Sequence, residues 1–254
     1  MCIRDSPYPV LGADELVRCG YLYPRLNSIS GTAVVPFADL AEAQTEIRFY
    51  TFLREPIERC VTEFVSECNL RRPNDPLQSF EAWIQRPEVR NRQCRQICGT
   101  SLAERAIPGL HRIEFVGLIE RFHESLVLFS RWTNNPRTDI RYHLRKQTRE
   151  TTLKRKLLTN LSCRRQLIEA NREDVRLYDH VCREVFPLQC DEYGDRLEAD
   201  VQAFEAFNMP PGRFPREAVA LAYRELVYRP LSGMIAAKFN PTIAPPAYAP
   251  RRAA

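Results

Sequence analysis

The sequence predicts an α/β fold in which helices flank a parallel central sheet. Two apolar stretches rich in β-branched and aromatic residues, 47–53 and 113–119, have the composition of buried strands. Each is followed directly by a segment with apolar residues at helical spacing, over 56–69 and 120–132. This alternation of strands and helices favours a parallel sheet, because parallel strands are usually joined through a helix.

The composition is that of an ordinary globular protein. Of the 254 residues, 44% are hydrophobic and 27% are charged, which is enough for one good core. The net charge of +5 favours an anionic ligand or partner. No apolar run approaches the roughly 18 residues that cross a bilayer, so we expect no membrane segment within this chain.

The nine cysteines do not indicate a metal site. Cys60, Cys68 and Cys182 lie on predicted apolar helix faces, where a thiol packs as a small hydrophobe. Cys94 and Cys98 are four residues apart, but no second pair of His or Cys residues completes a zinc site. We therefore predict no metal, and the odd number of cysteines argues against complete disulfide pairing.

The N-terminal part of the chain predicts only short elements. Residues 1–6 resemble a translated adapter or vector scar of the kind found in metagenomic gene fragments, so we expect them to be non-native. They contain no apolar segment typical of a signal peptide. After them the pattern predicts a helical piece within 14–19, a strand over 32–37 that Pro36 ends, and a helix over 39–46 capped by Asp39.

The junction between the first long strand and its helix is the most informative feature. The strand ends at Arg54, and Pro56 takes the first helical position, which suits its fixed φ and its missing N–H. One apolar face follows, made of Ile57, Cys60, Val61, Phe64, Val65 and Cys68. Free N–H groups, the positive end of the helix dipole and a guanidinium then converge, which predicts an anion site.

The remaining elements follow the same two patterns. We predict a loop over 71–76, a short helix over 79–85 with Ser79 as its N-cap, and a helix over 91–98. A long helix is predicted over 159–186, with an inward face made of Val175, Tyr178, Val181, Cys182 and Val185. Two more helices are predicted over 199–207 and 215–228, and the Pro- and Ala-rich residues 229–254 predict a surface tail.

Arg54-Glu55-Pro56, Arg59 and Thr62 together resemble the Arg-Asp-Pro-x-x-Arg-x-x-Ser signature of sulfotransferases. These enzymes use 3′-phosphoadenosine 5′-phosphosulfate (PAPS), and the heparan-sulfate 2-O-sulfotransferase type of carbohydrate sulfotransferase is the most similar branch. In that family the first arginine and the serine eight residues later hold the 3′-phosphate of the donor. The resemblance therefore implies this role for Arg54 and Thr62. The alternative is that Arg54 caps a sheet edge and Thr62 bonds its own helix backbone.

Four further segments resemble the family in its own order, so that the resemblance covers residues 29–195. They are Asn91-Arg92-Gln93 with Cys98-Gly99, Phe115 to Glu120 with Ser125-Leu126, His143 to Thr148, and Asn171 with Asp174, Leu177 and Tyr178. The third resembles a loop that closes over the donor, which implies that Arg145, Lys146 and Thr148 bind it. The resemblance implies a P-loop-NTPase-like sulfotransferase fold for residues 7–228, followed by the tail.

The basic residues between 141 and 165 suit a nucleotide or a sulfated glycan. The alternative is a solvated helix face. We predict no nucleic acid, because aromatic side chains for base stacking are not interleaved with the basic ones.

Two parts of the family pattern are not found. The first strand and the phosphate loop, of the type Pro-Lys-x-Gly-Thr-Thr, are missing, so we expect an N-terminally truncated fragment that is itself inactive. The family's general base, a histidine after a glycine, aligns with Gly31-Thr32, where threonine is no base. His143, Asp39 and Glu42 are alternatives, and we assign no catalytic residue.

The function that the resemblance implies is sulfuryl transfer from PAPS to a carbohydrate hydroxyl. The alternatives are a non-catalytic anion- or glycan-binding module on a degenerate sulfotransferase fold, and a kinase-like P-loop enzyme. Members of the family occur in Golgi lumens behind an N-terminal anchor and also in bacteria, so the resemblance does not fix a compartment.

Overall fold

The computed structural model describes residues 11–13, 16, 28–31, 34–38, 40, 46–71, 73–135, 140, 142 and 152–207. The chain divides into two compact units, one of residues 46–210 and the other of residues 1–45 with 211–254. Several predicted segments lie outside the described residues. They are residues 1–6, expected to be a scar, the tail predicted over 229–254, the helix predicted over 215–228, and most of the helices predicted over 14–19 and 39–46.

In the unit that contains the chain termini, the strand predicted over 32–37 is wrong where the structure describes it. The N–H of Val34 donates to the carbonyl of Gly31, and the N–H of Ala38 donates to that of Val35. Pro36 lies in a turn. Its fixed φ and missing N–H suit a turn better than a strand ladder.

In the unit of residues 46–210, the described residues form a mostly helical α/β structure around two parallel strands. Strand β1 (Tyr50–Leu53) pairs with β2 (Phe115–Leu118), with Tyr50 opposite Phe115 and Leu53 opposite Leu118. Both strands are shorter than predicted. The Gln189 side chain bonds both the N–H (3.1 Å) and the C=O (2.8 Å) of Val116 in β2.

Helix α1 (Pro56–Arg71) begins at the predicted proline and runs two residues further than predicted. The other helices are α2 (Pro76–Ile84), α3 (Arg92–Cys98), α4 (Ala103–Gly109), α5 (Phe122–Thr133), α6 (Thr152–Thr159), α7 (Leu161–Ala170), α8 (Arg172–His180), α9 (Phe186–Tyr193) and α10 (Leu197–Phe207). A 3₁₀ turn (Leu110–Arg112) follows α4, and a π turn (Val181–Val185) joins α8 to α9.

Two predicted helices have different bounds in the structure. Helix α2 starts at Pro76 rather than after Ser79, because the Asp75 carboxylate caps it by accepting the N–H groups of Leu77 and Gln78. The single helix predicted over 159–186 is interrupted at Asn171 (φ −117°, ψ 17°). The buried Asn171 amide donates to the carbonyl of Leu167, and such local bonds compete with helix continuation.

Two hydrophobic clusters flank the junction between β1 and α1. The sheet cluster packs both strands against α3, α4, α5, α8 and the π turn. The second cluster packs the apolar face of α1 against α2, α6 and α7. Five of the six residues predicted for that face are buried, namely Cys60, Val61, Phe64, Val65 and Cys68. Residues 54 and 55 therefore connect the two clusters.

Candidate anion site at the strand–helix junction

The backbone of Arg54 is fixed by the side chain of Gln93. The N–H of Arg54 donates to Gln93 Oε1, and Gln93 Nε2 donates back to the carbonyl of Arg54, both at 3.0 Å. One residue later, the N–H of Glu55 donates to Glu120 Oε1 at 2.9 Å. These bonds hold the chain as it leaves the sheet, so the half-buried Arg54 side chain starts from a defined position.

The predicted free N–H groups at the start of α1 are not free. The Glu55 carboxylate accepts the N–H groups of Ile57 (3.1 Å) and Glu58 (2.6 Å), and the Glu55 carbonyl accepts that of Arg59. Pro56 has no N–H to offer. The sequence prediction is therefore wrong on this point, because the helix is capped by its own acidic residue.

Two cationic side chains meet at one carboxylate oxygen of Glu58. Lys154 Nζ, from α6, lies 2.5 Å from Glu58 Oε2, and Arg54 Nη2 lies 3.9 Å from the same atom. Arg54 and Glu58 are about one-third exposed, whereas the Lys154 side chain is 16% exposed. The structure thus places two positive charges beside one face of α1.

The hydroxyl of Thr62 lies one helical turn beyond Glu58 on that face. Its oxygen is buried, and no atom of the described residues forms a hydrogen bond with it. The alternative that Thr62 bonds its own helix backbone is therefore wrong. Ser66, one turn later, does make such a bond, to the Thr62 carbonyl at 2.8 Å. Arg54 and Thr62, predicted from the sequence as a pair, both lie beside Glu58.

Arg59 has a structural role at this junction. Its guanidinium donates to Glu63 Oε2 at 2.8 Å and to Asn171 Oδ1 at 2.9 Å, and its side chain is 15% exposed. It therefore ties α1 to the break between α7 and α8.

The segments around residues 91 and 171 cap each other's helices. The fully buried Asp174 carboxylate accepts the N–H groups of Gln93 (3.0 Å) and Cys94 (2.8 Å) at the start of α3. In return, Asn91 Oδ1 accepts those of Glu173 (3.0 Å) and Asp174 (3.3 Å) at the start of α8. This reciprocal capping fixes Gln93, which holds Arg54.

Glu120 and Tyr178 complete this hydrogen-bonded network. The Tyr178 hydroxyl donates to Glu120 Oε2 at 2.7 Å, while Glu120 Oε1 accepts the N–H of Glu55. Burial raises the pKa of the Tyr178 phenol well above its usual value, and the bond to Glu120 raises it further. Tyr178 is therefore a hydrogen-bond donor at neutral pH and holds Glu120 toward the junction.

The predicted donor residues Arg145, Lys146 and Thr148 lie outside the described residues, as do His143, Thr32, Asp39 and Glu42. Of the basic residues in the described part of the 141–165 segment, Arg155, Lys156, Arg164 and Arg165 are exposed. Lys154 instead turns inward. Lys154 is three and four residues before Leu157 and Leu158, so it lies on the same helical face as these apolar residues. This spacing could have predicted from the sequence that Lys154 points inward.

His123, at the start of α5, bridges two other side chains. Its Nδ1 lies 2.5 Å from Glu205 Oε1 of α10, and its Nε2 lies 2.6 Å from the Tyr142 hydroxyl. Its ring also packs against Phe204. The sequence gives His123 a surface or packing role, and the contacts show how it connects α5 to α10.

A cavity of about 580 Å³ opens between α5, α9 and α10. None of the residues that line it was predicted as a site residue from the sequence. Four carboxylates line it, from Glu124, Asp191, Asp195 and Glu198. Such a lining repels phosphate and sulfate groups, so it is unsuited to a nucleotide donor.

Within the described ranges, no group of three or more His, Cys, Asp or Glu residues is placed to hold a metal ion. None of the helices in the described part of the chain combines the length and apolar character that a bilayer crossing requires. Comparison with protein-family models, with curated proteins and with solved structures finds no match to this chain.

Proposed function

We propose that this protein is a sulfotransferase that moves the sulfuryl group of PAPS to a carbohydrate hydroxyl. In this proposal the chain has a P-loop-NTPase-like sulfotransferase fold, and Arg54 and Thr62 hold the 3′-phosphate of the donor. Arg145, Lys146 and Thr148 contact the same nucleotide. No metal takes part, and the acceptor is a glycan.

The observation that carries the proposal is the buried Thr62 hydroxyl, which has no hydrogen-bond partner among the described residues. It lies one helical turn beyond Glu58, the residue that the guanidinium of Arg54 approaches. Buried hydroxyls are nearly always bonded, so an unbonded one requires an explanation. A phosphate oxygen accepts hydrogen bonds from both a hydroxyl and a guanidinium. The residue types and their common side of α1 therefore fit a phosphate group.

The position of Arg54 in the fold is a second support. Strands β1 and β2 are parallel, and Arg54 directly follows the carboxyl end of β1. In open α/β sheets, ligands bind outside the carboxyl ends of the strands. Four of the five segments that resemble the family also meet in the hydrogen-bonded network at the carboxyl end of β1. Each contributes one residue, namely Arg54, Gln93, Glu120 and Asp174.

The chemistry that the proposal requires is an in-line transfer. The acceptor oxygen forms a bond to sulfur, the bond from sulfur to the bridging phosphate oxygen breaks, and a base takes the acceptor's proton. The bound donor supplies the sulfuryl group. These residues orient the nucleotide, since a guanidinium at the end of β1 and a hydroxyl on α1 fix the position of the 3′-phosphate.

Calorimetric titration of the chain with 3′-phosphoadenosine 5′-phosphate tests the proposal. We expect Arg54→Ala to weaken binding by about tenfold or more, because it removes charge-assisted hydrogen bonds. Arg71→Ala is the matched control, since Arg71 lies at the opposite end of α1 and is 69% exposed. Absence of binding by the unmodified chain, or equal binding by the Arg54→Ala variant, would contradict the donor assignment.

A non-catalytic anion- or glycan-binding module is the second candidate. The capping of α1 by Glu55 favours it, because the carboxylate occupies N–H groups that a catalytic phosphate site would otherwise use. A panel of glycans incubated with PAPS separates the two functions. Sulfated product supports the enzyme, whereas glycan binding by a chain that does not bind 3′-phosphoadenosine 5′-phosphate supports the module.

A further inference from the structure

Glu58 occupies a position between two cations that suits an anion from outside the protein. Its Oε2 atom is the point that Lys154 Nζ and Arg54 Nη2 both approach, at 2.5 and 3.9 Å. The three side chains come from different segments, namely the end of β1, the first turn of α1, and α6. Arg54 and Glu58 are four residues apart, whereas the approach of Lys154 to Glu58 depends on the fold.

Burial makes the lysine the unusual member of the group. Only 16% of the Lys154 side chain is exposed, compared with 36% for Glu58. An ammonium in such a position costs free energy unless anionic or polar groups compensate it. The carboxylate is the more exposed partner, so it can rotate toward solvent while the lysine stays in place.

We propose that Glu58 is an internal substitute for the bound anion and that Lys154 is a further phosphate-binding residue. When a phosphate group enters, it displaces the Glu58 carboxylate from Lys154 and Arg54. For the nucleotide, this inference rests on the proposed function, because it makes Lys154 a third contact of the 3′-phosphate. The exchange itself requires only a phosphate group.

The charges favour this exchange. A phosphate monoester carries between −1.5 and −2 charges near pH 7 and three acceptor oxygens, whereas Glu58 carries a single negative charge. Three oxygens can accept hydrogen bonds from Arg54, Lys154 and the unbonded Thr62 hydroxyl at the same time. Glu58 therefore lowers the affinity of the site while it keeps the two cations positioned.

Titration with inorganic phosphate at constant ionic strength tests the exchange. We expect Glu58→Gln to raise the phosphate affinity about fivefold, because the competing carboxylate is gone. Lys154→Met keeps the length of the side chain and removes its charge, so we expect it to weaken phosphate binding. The double variant should lose the gain that Glu58→Gln gives alone. Circular dichroism establishes that each variant is folded.

Glu67→Gln is the matched control for the change in net charge. Glu67 lies on the same helix, but its carboxylate bonds Trp83 and Arg86 and has no contact with Arg54 or Lys154. Unchanged phosphate affinity in Glu58→Gln, or an equal gain in Glu67→Gln, would overturn the exchange. Likewise, a gain that survives Lys154→Met would remove Lys154 from the site.

The same variants separate this inference from the proposed function. If Glu58→Gln binds phosphate more tightly but the chain does not bind 3′-phosphoadenosine 5′-phosphate, the exchange stands and the sulfotransferase proposal falls. If the nucleotide binds and Glu58→Gln changes neither affinity, the donor assignment stands and the exchange falls.

Discussion

The Thr62 hydroxyl is buried and has no hydrogen-bond partner among the described residues, and a buried group of this kind costs about 1–3 kcal/mol. A threonine in a helix can usually bond the carbonyl one turn earlier, as Ser66 does. At position 62 that bond is not made. If Thr62 binds a ligand, removal of its hydroxyl should lower the affinity without lowering the stability. If its role is purely structural, removal should lower the stability and leave the affinity unchanged.

Thr62→Val tests this balance at a single residue. Valine has nearly the same shape and no hydroxyl, so we expect the free energy of unfolding to stay constant or rise by about 1 kcal/mol. The affinity for 3′-phosphoadenosine 5′-phosphate should fall, since a phosphate contact is lost. Urea denaturation and calorimetry on the same sample measure both. A stable variant with unchanged affinity would exclude Thr62 from the site.

Thr62→Ser is the companion variant, because it keeps the hydroxyl and removes the methyl group. It should retain the affinity that valine loses. Equal losses in both variants would indicate a packing effect at α1 instead of a missing hydrogen bond.

At the residue scale, the sequence indicated the cation and the hydroxyl but not the carboxylates around them. Arg54 and Thr62 belong to a spaced pattern, and spacing is visible in a sequence. Glu55 stands where the sulfotransferase pattern has Asp, and its carboxylate accepts N–H groups at the start of α1. Glu58 pairs with Lys154, which is 96 positions further along the chain, and such a pair depends on tertiary packing.

At the scale of elements, β1 and β2 depend on a close approach at Gly117. Gly117 pairs with Phe52 across the two strands. A Cβ atom at position 117 would lie 2.6 Å from two atoms of the Phe52 ring. That ring cannot move away freely, because it packs against Phe115, Phe122 and Phe129. The glycine therefore sets how tightly the aromatic residues cover the sheet.

We expect Gly117→Ala to lower the free energy of unfolding by about 1–3 kcal/mol, the usual cost of overpacking a core. Urea denaturation measures it. Gly109→Ala is the control, since Gly109 lies in α4 and its closest contact to an added Cβ is 3.3 Å from Ile97 Cγ2. Alanine also has the better helix propensity there. If both variants are as stable as the unmodified chain, the Phe52 ring is not fixed as described.

The predicted and observed elements differ where a side chain bonds the backbone. Helix α1 is predicted well, because its start depends on Pro56 and its face on a regular apolar repeat. The start of α2 and the break at Asn171 depend on single polar side chains, Asp75 and Asn171. A sequence does not show whether such a polar residue lies inside a helix or at its end. Apolar periodicity therefore locates helices better than it locates their ends.

For the whole molecule, the buried thiols contribute to the way stability responds to alkaline pH. The seven cysteines of the described ranges are all free thiols. Burial raises the pKa of six of them, Cys60, Cys68, Cys94, Cys163, Cys182 and Cys190. They lie in or beside both hydrophobic clusters, so ionisation of these thiols opposes the packing of the entire unit.

We expect the free energy of unfolding to fall as the pH rises above about 9. Burial raises the pKa of the Cys60 thiol from 9.0 to about 11, so between these values the thiol ionises in the unfolded chain and stays neutral in the folded one. The stabilisation is complete below pH 9 and is lost as the pH approaches 11. One such group contributes a slope of up to about 1.4 kcal/mol per pH unit. Urea denaturation between pH 8 and 10.5, under reducing conditions, measures the slope.

Cys60→Ala measures how much Cys60 contributes to the change of the free energy of unfolding with pH. The variant is less stable at every pH, because it leaves a small cavity at a fully buried position. The informative quantity is therefore the slope and not the stability itself. Between pH 9 and 10.5 we expect a shallower slope than in the unmodified chain. The difference should equal the contribution of one thiol. Parallel curves would mean that Cys60 ionises as easily in the folded protein as in the unfolded chain, which contradicts its burial within the second cluster.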